Sequence, residues 1–434
     1  MSLHRPLSAY LLIAVAGIAP TLASHAAPMR SGAARLAFVR ADNVWIAGAD
    51  GTGARQITRD GTGTRVVNGR QVTYAYLTWS PTARRLLVAR FESTNPPGGT
   101  YRQGWSLQTS TPSVSKLVPV VQHINSQDFI PEWSHNGQTI AYIADSSYHD
   151  KTLTFQNTVK TVDLSGRISS LTRFDAHEGC LDSSTDPSEL TFWNLVGPGG
   201  VRQTFIWSSA SRFLVYSTEC IHTGLTYRSL VTGQERVVGR SMTEAALAPD
   251  GSRVVGVDGG HLILSKANGA ARQAFPGTAG ARVPIWSPDG RFVYYMTRHT
   301  VQTLRYRNHA GNLFEIGVNR ASINCLDVAS GVVTTILTLP VHAFANLAVS
   351  SDGRWLYVTE ITNSDRLYQH LVHSPVVTNA LLTQYGPRTH VLRVSSGGGL
   401  PQTVAPDSGQ VTVSNSVLPQ VMGRRLGRFD RGAH

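Results

Sequence analysis

The residues of this chain best suited to chemistry are histidines and arginines set between its apolar stretches. Ten of the twelve histidines between Ala27 and Asp430 lie in the longer polar connections: His123, His149, His177, His222, His299, His309, His342, His370, His373 and His390. An even spread would put about five there. Imidazole ligates metals readily and titrates near neutrality, so such a gathering could serve a metal or acid–base site. The close pairs are Asp175-x-His177-Glu178 and His370-x-x-His373, neither a specific ligand motif. Solvation at the surface is the commoner role for such histidines.

Arginines gather as well. Thr297–Ser322 holds Arg298, Arg305, Arg307 and Arg320 against Glu315 alone, with Tyr306 among them. A guanidinium fork grips carboxylate or phosphate bidentately, so this stretch is suited to an anionic group. Phe174–Gln203 instead begins acidic, with Asp175, Glu178, Asp182, Asp186 and Glu189, and pairing of the two stretches is the structural alternative. The candidate ligand-binding residues are His177, Glu178, Arg298, His299, Arg305, Arg307, His370 and His373. No catalytic or metal-binding residue is assigned, and no cofactor is expected.

The elements that must position these residues repeat. Trp79-Ser80-Pro81, Trp133-Ser134-His135-Asn136-Gly137, Trp207-Ser208-Ser209, Ala248-Pro249-Asp250-Gly251, Trp286-Ser287-Pro288-Asp289-Gly290 and Ser350-Ser351-Asp352-Gly353 each precede a β-forming run such as RFVYYMT or RWLYVTE. Asp-Gly or Asn-Gly between apolar runs is a hairpin signal, because glycine takes positive φ without a Cβ clash. A fixed unit of this kind specifies a propeller or solenoid. The shortest repeat, Ala248 to Trp286, has room for four strands of about 5–6 residues. No segment keeps a helical period.

These turns resemble the TolB-type propeller repeat, whose mark is Trp-Ser-Pro-Asp-Gly before an apolar strand. Trp286–Gly290 carries it complete, three other turns carry it with substitutions, and Trp79 and Trp207 keep only the Trp-Ser. The resemblance implies an all-β fold, a single β-propeller. It is weak on function, since the repeat occurs in envelope scaffolds and in the propeller domains of prolyl-oligopeptidase-like peptidases.

Blade number follows from the chain ends. Ala34–Thr58 reads as strands two to four of a blade lacking its first, and Gln410–Asn415 is a spare strand able to complete it. Closure of that kind removes exposed edges. Six anchored blades and the composite one give seven four-stranded blades, with six as the alternative. The expected organisation is a cleaved signal peptide over 1–26, a propeller over 27–422 and a basic tail over 423–434 that carries Arg424, Arg425, Arg428 and Arg431.

His4 and Arg5, the apolar run Leu7–Ile18 and Ser24-His25-Ala26 compose that signal peptide. The run is too short to cross a bilayer, which takes about 20 residues. Export to the periplasm or medium is expected, and a Cys180–Cys220 disulfide would suit it; two buried thiols are the alternative. Cys325 reads as a packed strand residue. The formal charge is +12, and 35 of the 39 basic residues are arginine, a bias that base composition can produce. It does not argue for nucleic acid. An envelope protein or an anionic glycan is the expected partner of a monomer with no membrane span.

In a propeller, the turns joining strands one to two and three to four share one face, and they are short here. The other face receives Thr58–Thr73, Phe91–Gly104, Val120–Ile130, Asp145–Thr154, Phe174–Gln203, Thr297–Ser322 and Glu360–Thr389, read as loops. Binding groups tend to sit on such insertions above a rigid scaffold. The chain lacks a G-x-S-x-G elbow, a P-loop and a dinucleotide fingerprint. The expected function is non-catalytic binding or scaffolding. A polysaccharide lyase or glycoside hydrolase on the elaborated face is the rival.

Overall fold

In the computed structural model the described residues are 34–62, 66–94, 102–111, 113, 116–124, 131–134, 136–149, 154–177, 205–208, 212–217, 224–307, 313–339, 343–362, 366, 369–370, 373, 384 and 388–413. They form seven four-stranded antiparallel sheets, the blades of a β-propeller. Blade 1 contains β1 (Arg35–Arg40), β2 (Asn43–Gly48) and β3 (Arg55–Gln56). Blade 2 contains β4 (Arg70–Trp79), β5 (Leu86–Thr94), β6 (Arg102–Ser110) and β7 (Leu117–Ile124). Blade 3 contains β8 (Glu132–Trp133), β9 (Thr139–His149), β10 (Thr154–Asp163) and β11 (Ile168–His177). Blade 4 contains β12 (Phe205–Trp207), β13 (Phe213–Ser217), β14 (Leu225–Ser229) and β15 (Glu235–Gly239).

Blade 5 contains β16 (Thr243–Leu247), β17 (Arg253–Asp258), β18 (His261–Lys266) and β19 (Gln273–Phe275). Blade 6 contains β20 (Ala281–Trp286), β21 (Phe292–Arg307), β22 (Leu313–Asp327) and β23 (Val333–Leu339). Blade 7 contains β24 (Ala343–Val349), β25 (Trp355–Thr362), β26 (Arg388–Ser395) and β27 (Gln402–Ala405). The last strand, β28 (Ser408–Val413), joins blade 1 beside β1. First strands meet around the axis, β8 against β12, β16 against β20, β20 against β24, and β28 against both β24 and β4.

The ring closes as the chain ends imply. β28 pairs with β1 from Leu36↔Val413 to Arg40↔Ser408. This strand begins two residues before the expected Gln410, and 414–415 lie outside the described residues. The signal-peptide region, the basic tail, Cys180 and Cys220 also lie outside them. Cys325 is half-buried on β22 with no disulfide, and burial pushes its thiol up to about 12.

Each Trp-Ser-Pro-Asp-Gly turn is held by its own side chains. In blade 6, Ser287 Oγ donates to Asp289 Oδ1 at 2.6 Å and accepts the Phe292 N–H at 2.8 Å. In blade 7, Ser350 Oγ donates to Asp352 at 2.6 Å and accepts the Trp355 N–H at 3.0 Å. Blade 3 does the same through Ser134 and Asn136, at 2.7 Å and 3.0 Å. The glycine that completes the turn takes positive φ, +69° at Gly290 and at Gly353. Blade 2 has no glycine there, and Ala83 is forced to +54°.

The turns also join neighbouring blades. Trp286 Nε1 donates to the Ala246 carbonyl at 3.0 Å, and Trp133 Nε1 to the Thr78 carbonyl at 3.3 Å. Arg253 stacks over Trp286 at 5.1 Å and donates to the Gly290 carbonyl at 3.1 Å. Arg35 repeats this on Trp79 and the Ala83 carbonyl, at 5.0 Å and 3.0 Å. The residue that opens strand two in one blade therefore clamps the turn of the next. Trp79 Nε1 is buried without a hydrogen-bond partner among the described residues, at the joint where the preceding inner strand is β28.

Candidate functional site

On the face opposite these turns the blades differ in height. Blades 1 and 5 turn back at once, through Ala41-Asp42 and Gly259-Gly260, all four residues at positive φ. Blades 2, 3, 6 and 7 carry strands two and three further. Several insertions read as loops begin or end in continued strand, and the one in blade 6 is strand almost throughout. β9 runs on to His149 and β11 to His177, and β21 with β22 accounts for nearly all of Thr297–Ser322. The reason is composition: Val301, Tyr306, Phe314, Ile316 and Val318 are β-formers among the polar residues. His261 also belongs to this face, since it directly follows the Gly259-Gly260 turn.

Blade 6 shows the largest extension. β20 pairs with β21 as far as Thr297, and β23 pairs with β22 from Leu326 to Ala321. Beyond those points β21 and β22 pair with each other from Arg298↔Ala321 to Arg307↔Leu313. Arg298, His299, Arg305 and Arg307 thus share one strand, with His299 opposite Arg320 and Arg305 opposite Glu315. His299, Arg305 and Arg320 are exposed.

The other candidates stand on elements other than this β21–β22 ribbon. His177 ends β11, opposite Thr154, and Glu178 lies outside the described residues. His370 and His373 are helical residues within the connection from β25 to β26, the first half-buried and the second exposed. Among the described residues no group of three histidines, cysteines or carboxylates is placed to hold a metal ion.

A polar constellation on blade 2 escapes the sequence reading. Register places Tyr74 opposite Arg90 and Val72 opposite Glu92. Tyr74 donates to Asp60 Oδ1 at 2.5 Å, and Arg90 donates to Asp60 Oδ2 at 3.1 Å and to Glu92. Arg70 Nε donates to Glu92 Oε1 at 2.5 Å. Burial alone would raise the Asp60 carboxyl, but its bonds from Tyr74 and Arg90 hold it below its ordinary range. Glu92 is likewise held low against burial, by Arg70 and Arg90. Burial, then Asp60, pushes the Tyr74 hydroxyl up to about 12. Both carboxylates are therefore charged and the phenol neutral near pH 7, which makes the group a polar wall and not a proton shuttle. It borders a cleft of about 260 Å³ lined by Asp60, Thr62, Val67, Asn68, Arg70 and Val72. The signal in sequence is Arg90 and Glu92 at alternate positions of an otherwise apolar strand.

The inner strands add two buried carboxylates. Glu244 on β16 accepts Arg282 Nε and Nη2 at 2.8 Å and 2.7 Å, and the Val283 N–H at 2.6 Å. Glu244 and Val283 are both left-handed, at +46° and +53°, and Tyr76 repeats the conformation at +52°. Each sits at a β-bulge three residues before the Trp position of its turn. Glu132 on β8 is 7% exposed, and the described residues offer its carboxyl no hydrogen bond. Thr78, Ala246, Ile285 and Ala348 occupy its place in blades 2, 5, 6 and 7. Burial raises its carboxyl well above the ordinary range.

These features define a seven-bladed propeller with one elaborated polar face. No protein-family model matches the chain, and no curated protein sequence matches it. Solved structures resemble it at low identity. A TolB candidate from Agrobacterium tumefaciens is 12% identical over 71% of this chain and 90% of its own, with a TM-score of 0.38. A 6-phosphogluconolactonase candidate from Bacteroides uniformis is 11% identical over 88% and 99%, with a TM-score of 0.47. An oligogalacturonate lyase in complex with manganese is 12% identical over 77% and 78%, with a TM-score of 0.45. These are likenesses of fold. Among the described residues no helix is long and apolar enough to cross a membrane.

Proposed function

We propose that this chain is an exported TolB-like propeller that binds a macromolecule of the cell envelope on its elaborated face, without catalysis. Its partner is a protein or an anionic glycan, and it works as a monomer in the periplasm or medium. The observation that supports this reading is the relief of that face. Blades 1 and 5 are low, blades 2, 3, 6 and 7 are taller, and blade 6 raises basic strands over roughly 30 Å. Relief on that scale suits a macromolecular surface better than an enclosed small-molecule pocket.

The test compares the two faces. The mature chain is immobilised and exposed to envelope extract, with Arg298→Glu/Arg320→Glu on the ribbon and Arg354→Glu beside a tight turn. Arg354 is 74% exposed in its side chain and bonds Asp352 of its own turn. The ribbon variant is expected to lose the captured partner, and Arg354→Glu to keep it. Capture lost by Arg354→Glu alone overturns the choice of face. Turnover of a uronate-rich oligosaccharide by the pure chain overturns the non-catalytic reading in favour of a lyase or hydrolase.

A further inference from the structure

We propose that the cleft on blade 2 is a subsite for one neutral sugar ring, free or at the end of a glycan, held through adjacent hydroxyls. It goes beyond the binding-module reading and stands apart from the ribbon, since blades 2 and 6 are not neighbours in the ring.

The cleft is built into the fold. Low blade 1 leaves a step beside taller blade 2, and the connection from β3 to β4 is laid against it. Gly61 comes so close to the blade 1 turn that a Cβ there would meet the Asp42 carbonyl oxygen at 1.9 Å, so only glycine fits. Its N–H donates to Asn43 Oδ1 at 3.0 Å. The Thr62 N–H then donates to the Val72 carbonyl at 2.8 Å, and the Val72 N–H to Thr62 Oγ1 at 2.8 Å. Val67 and Arg70 bond each other in both directions across Asn68-Gly69, which take φ of +51° and +70°. That is a two-residue hairpin turn of the favoured hand. The backbone at Thr62, Val67, Arg70 and Val72 is thus fixed before a ligand arrives, which lowers the ordering cost of binding.

The lining selects the ligand. Asp60, Thr62, Asn68 and Arg70 bring polar groups, and Val67 and Val72 bring apolar surface for the C–H edges of a ring. Asp60 accepts from Tyr74, Arg90 and Arg70, which leaves about one of its four acceptor sites. Arg70 gives Nε to Glu92 and Nη2 to Asp60, which uses about two of its five N–H donors. Both side chains remain within reach of solvent, Asp60 at 42% exposure and Arg70 at 44%. An acceptor beside a donor matches adjacent hydroxyls, each of which both donates and accepts. Charge disfavours ions. Asp60 and Glu92 face Arg70 and Arg90, so the group has no net charge. A carboxylate or phosphate drawn to Arg70 meets Asp60, and a metal ion drawn to Asp60 meets Arg70. The six lining residues include no aromatic ring on which a planar base would stack. The volume of about 260 Å³ lies below the roughly 300–1,000 Å³ of drug-sized sites and suits a single ring.

The probe is a set of neutral methyl hexopyranosides, observed by saturation-transfer NMR with the mature chain, beside a methyl uronide and inorganic phosphate. At least one neutral glycoside is expected to bind at millimolar concentration, with the uronide and phosphate weaker. Arg70→Gln is expected to weaken it about tenfold or more, the worth of a hydrogen bond to a charged group. Asn68→Gly keeps the turn, because glycine accepts positive φ, and removes the amide alone. It is expected to weaken binding severalfold with melting unchanged, and it serves as the second variant should Arg70→Gln destabilise blade 2. The proposal is overturned if no neutral glycoside binds, if the uronide or phosphate binds as well or better, or if either folded variant binds with wild-type affinity. A disaccharide that binds better than its own terminal ring assigns the site to a glycan end, and one that binds no better assigns it to the free sugar. If no sugar binds while envelope capture persists, the subsite is refuted and the binding-module reading stands.

Discussion

Blades 5 and 6 are neighbours built on the same turn, yet they diverge above it. Both open with a bulged inner strand, and Glu244 of one grips Arg282 and the Val283 N–H of the other. Both share the clamp of Arg253 on Trp286. At Asp258, blade 5 reverses through two glycines, whereas blade 6 continues for ten residues past Thr297. The lower halves are therefore interchangeable parts of a ring, and the upper half of blade 6 is an addition the ring does not require. Stability and binding should separate along that line. Changes below it should move melting, and changes above it should move binding alone.

The largest effect should come from the ring's joint. Ending the chain after Ala405 removes β28 and strips β1 of its partner from Leu36 to Arg40. Leu36 and Phe38 are fully buried, so the loss exposes core as well as two strand edges. The truncated chain should aggregate or melt on the order of 10 °C or more below the full chain. Equal melting in calorimetry would show that closure does not hold the ring.

A smaller effect should follow Glu132→Gln, and it should depend on pH. Burial holds the folded carboxyl above its unfolded value of about 4.3. Its contribution is thus greatest below that value and is lost as pH rises toward the folded pKa. The amide cannot ionise, so the variant should melt several degrees above the wild type at pH 8 and converge with it near pH 4. Asp60 and Glu92 have lowered values, so their contribution is present above the ordinary carboxylate range and fades as pH falls through the folded values. Acid should therefore destabilise wild type and variant alike. A Glu132→Gln profile parallel to the wild type across the range would remove Glu132 from the account.

The division between ring and addition also explains what could be read from the chain. The turn boxes are legible because their bonds are local: Ser287 reaches Asp289 and Phe292, two and five residues away. Closure is legible because Ala34–Thr58 lacks a strand and Gln410–Asn415 is left over. The blade 2 constellation is not, because it depends on the β4–β5 register and on Asp60 folding back from a connection. The ribbon's charges were visible, but its strand character was masked by arginines and histidines among Val301, Tyr306 and Ile316. His261 was missed because a two-residue turn leaves no insertion to notice.

The smallest effect should be a pair of opposite sign within the turns themselves. Gly290 sits at φ +69°, where a Cβ would meet Pro249 Cδ at 3.7 Å, an ordinary contact. Space is therefore not the obstacle in Gly290→Ala, and its cost is the left-handed backbone, about 1–2 kcal/mol. Ala83 already bears that cost at +54° in blade 2. Its N–H donates to the Ser80 carbonyl at 2.7 Å, and its carbonyl accepts Arg35 at 3.0 Å. Ala83→Gly keeps both bonds and relieves the strain, offset in part by the greater freedom of glycine in the unfolded chain, so the net gain should be about 0.5–1 kcal/mol. Denaturant melts should place Gly290→Ala below the wild type and Ala83→Gly above it, with the slope m unchanged in both. Partner capture should be the same in all three, since both turns lie on the face away from the ribbon. If Ala83→Gly destabilises, the packing of its methyl group, 9% exposed, outweighs the backbone term, and the turn of blade 2 is not equivalent to the others.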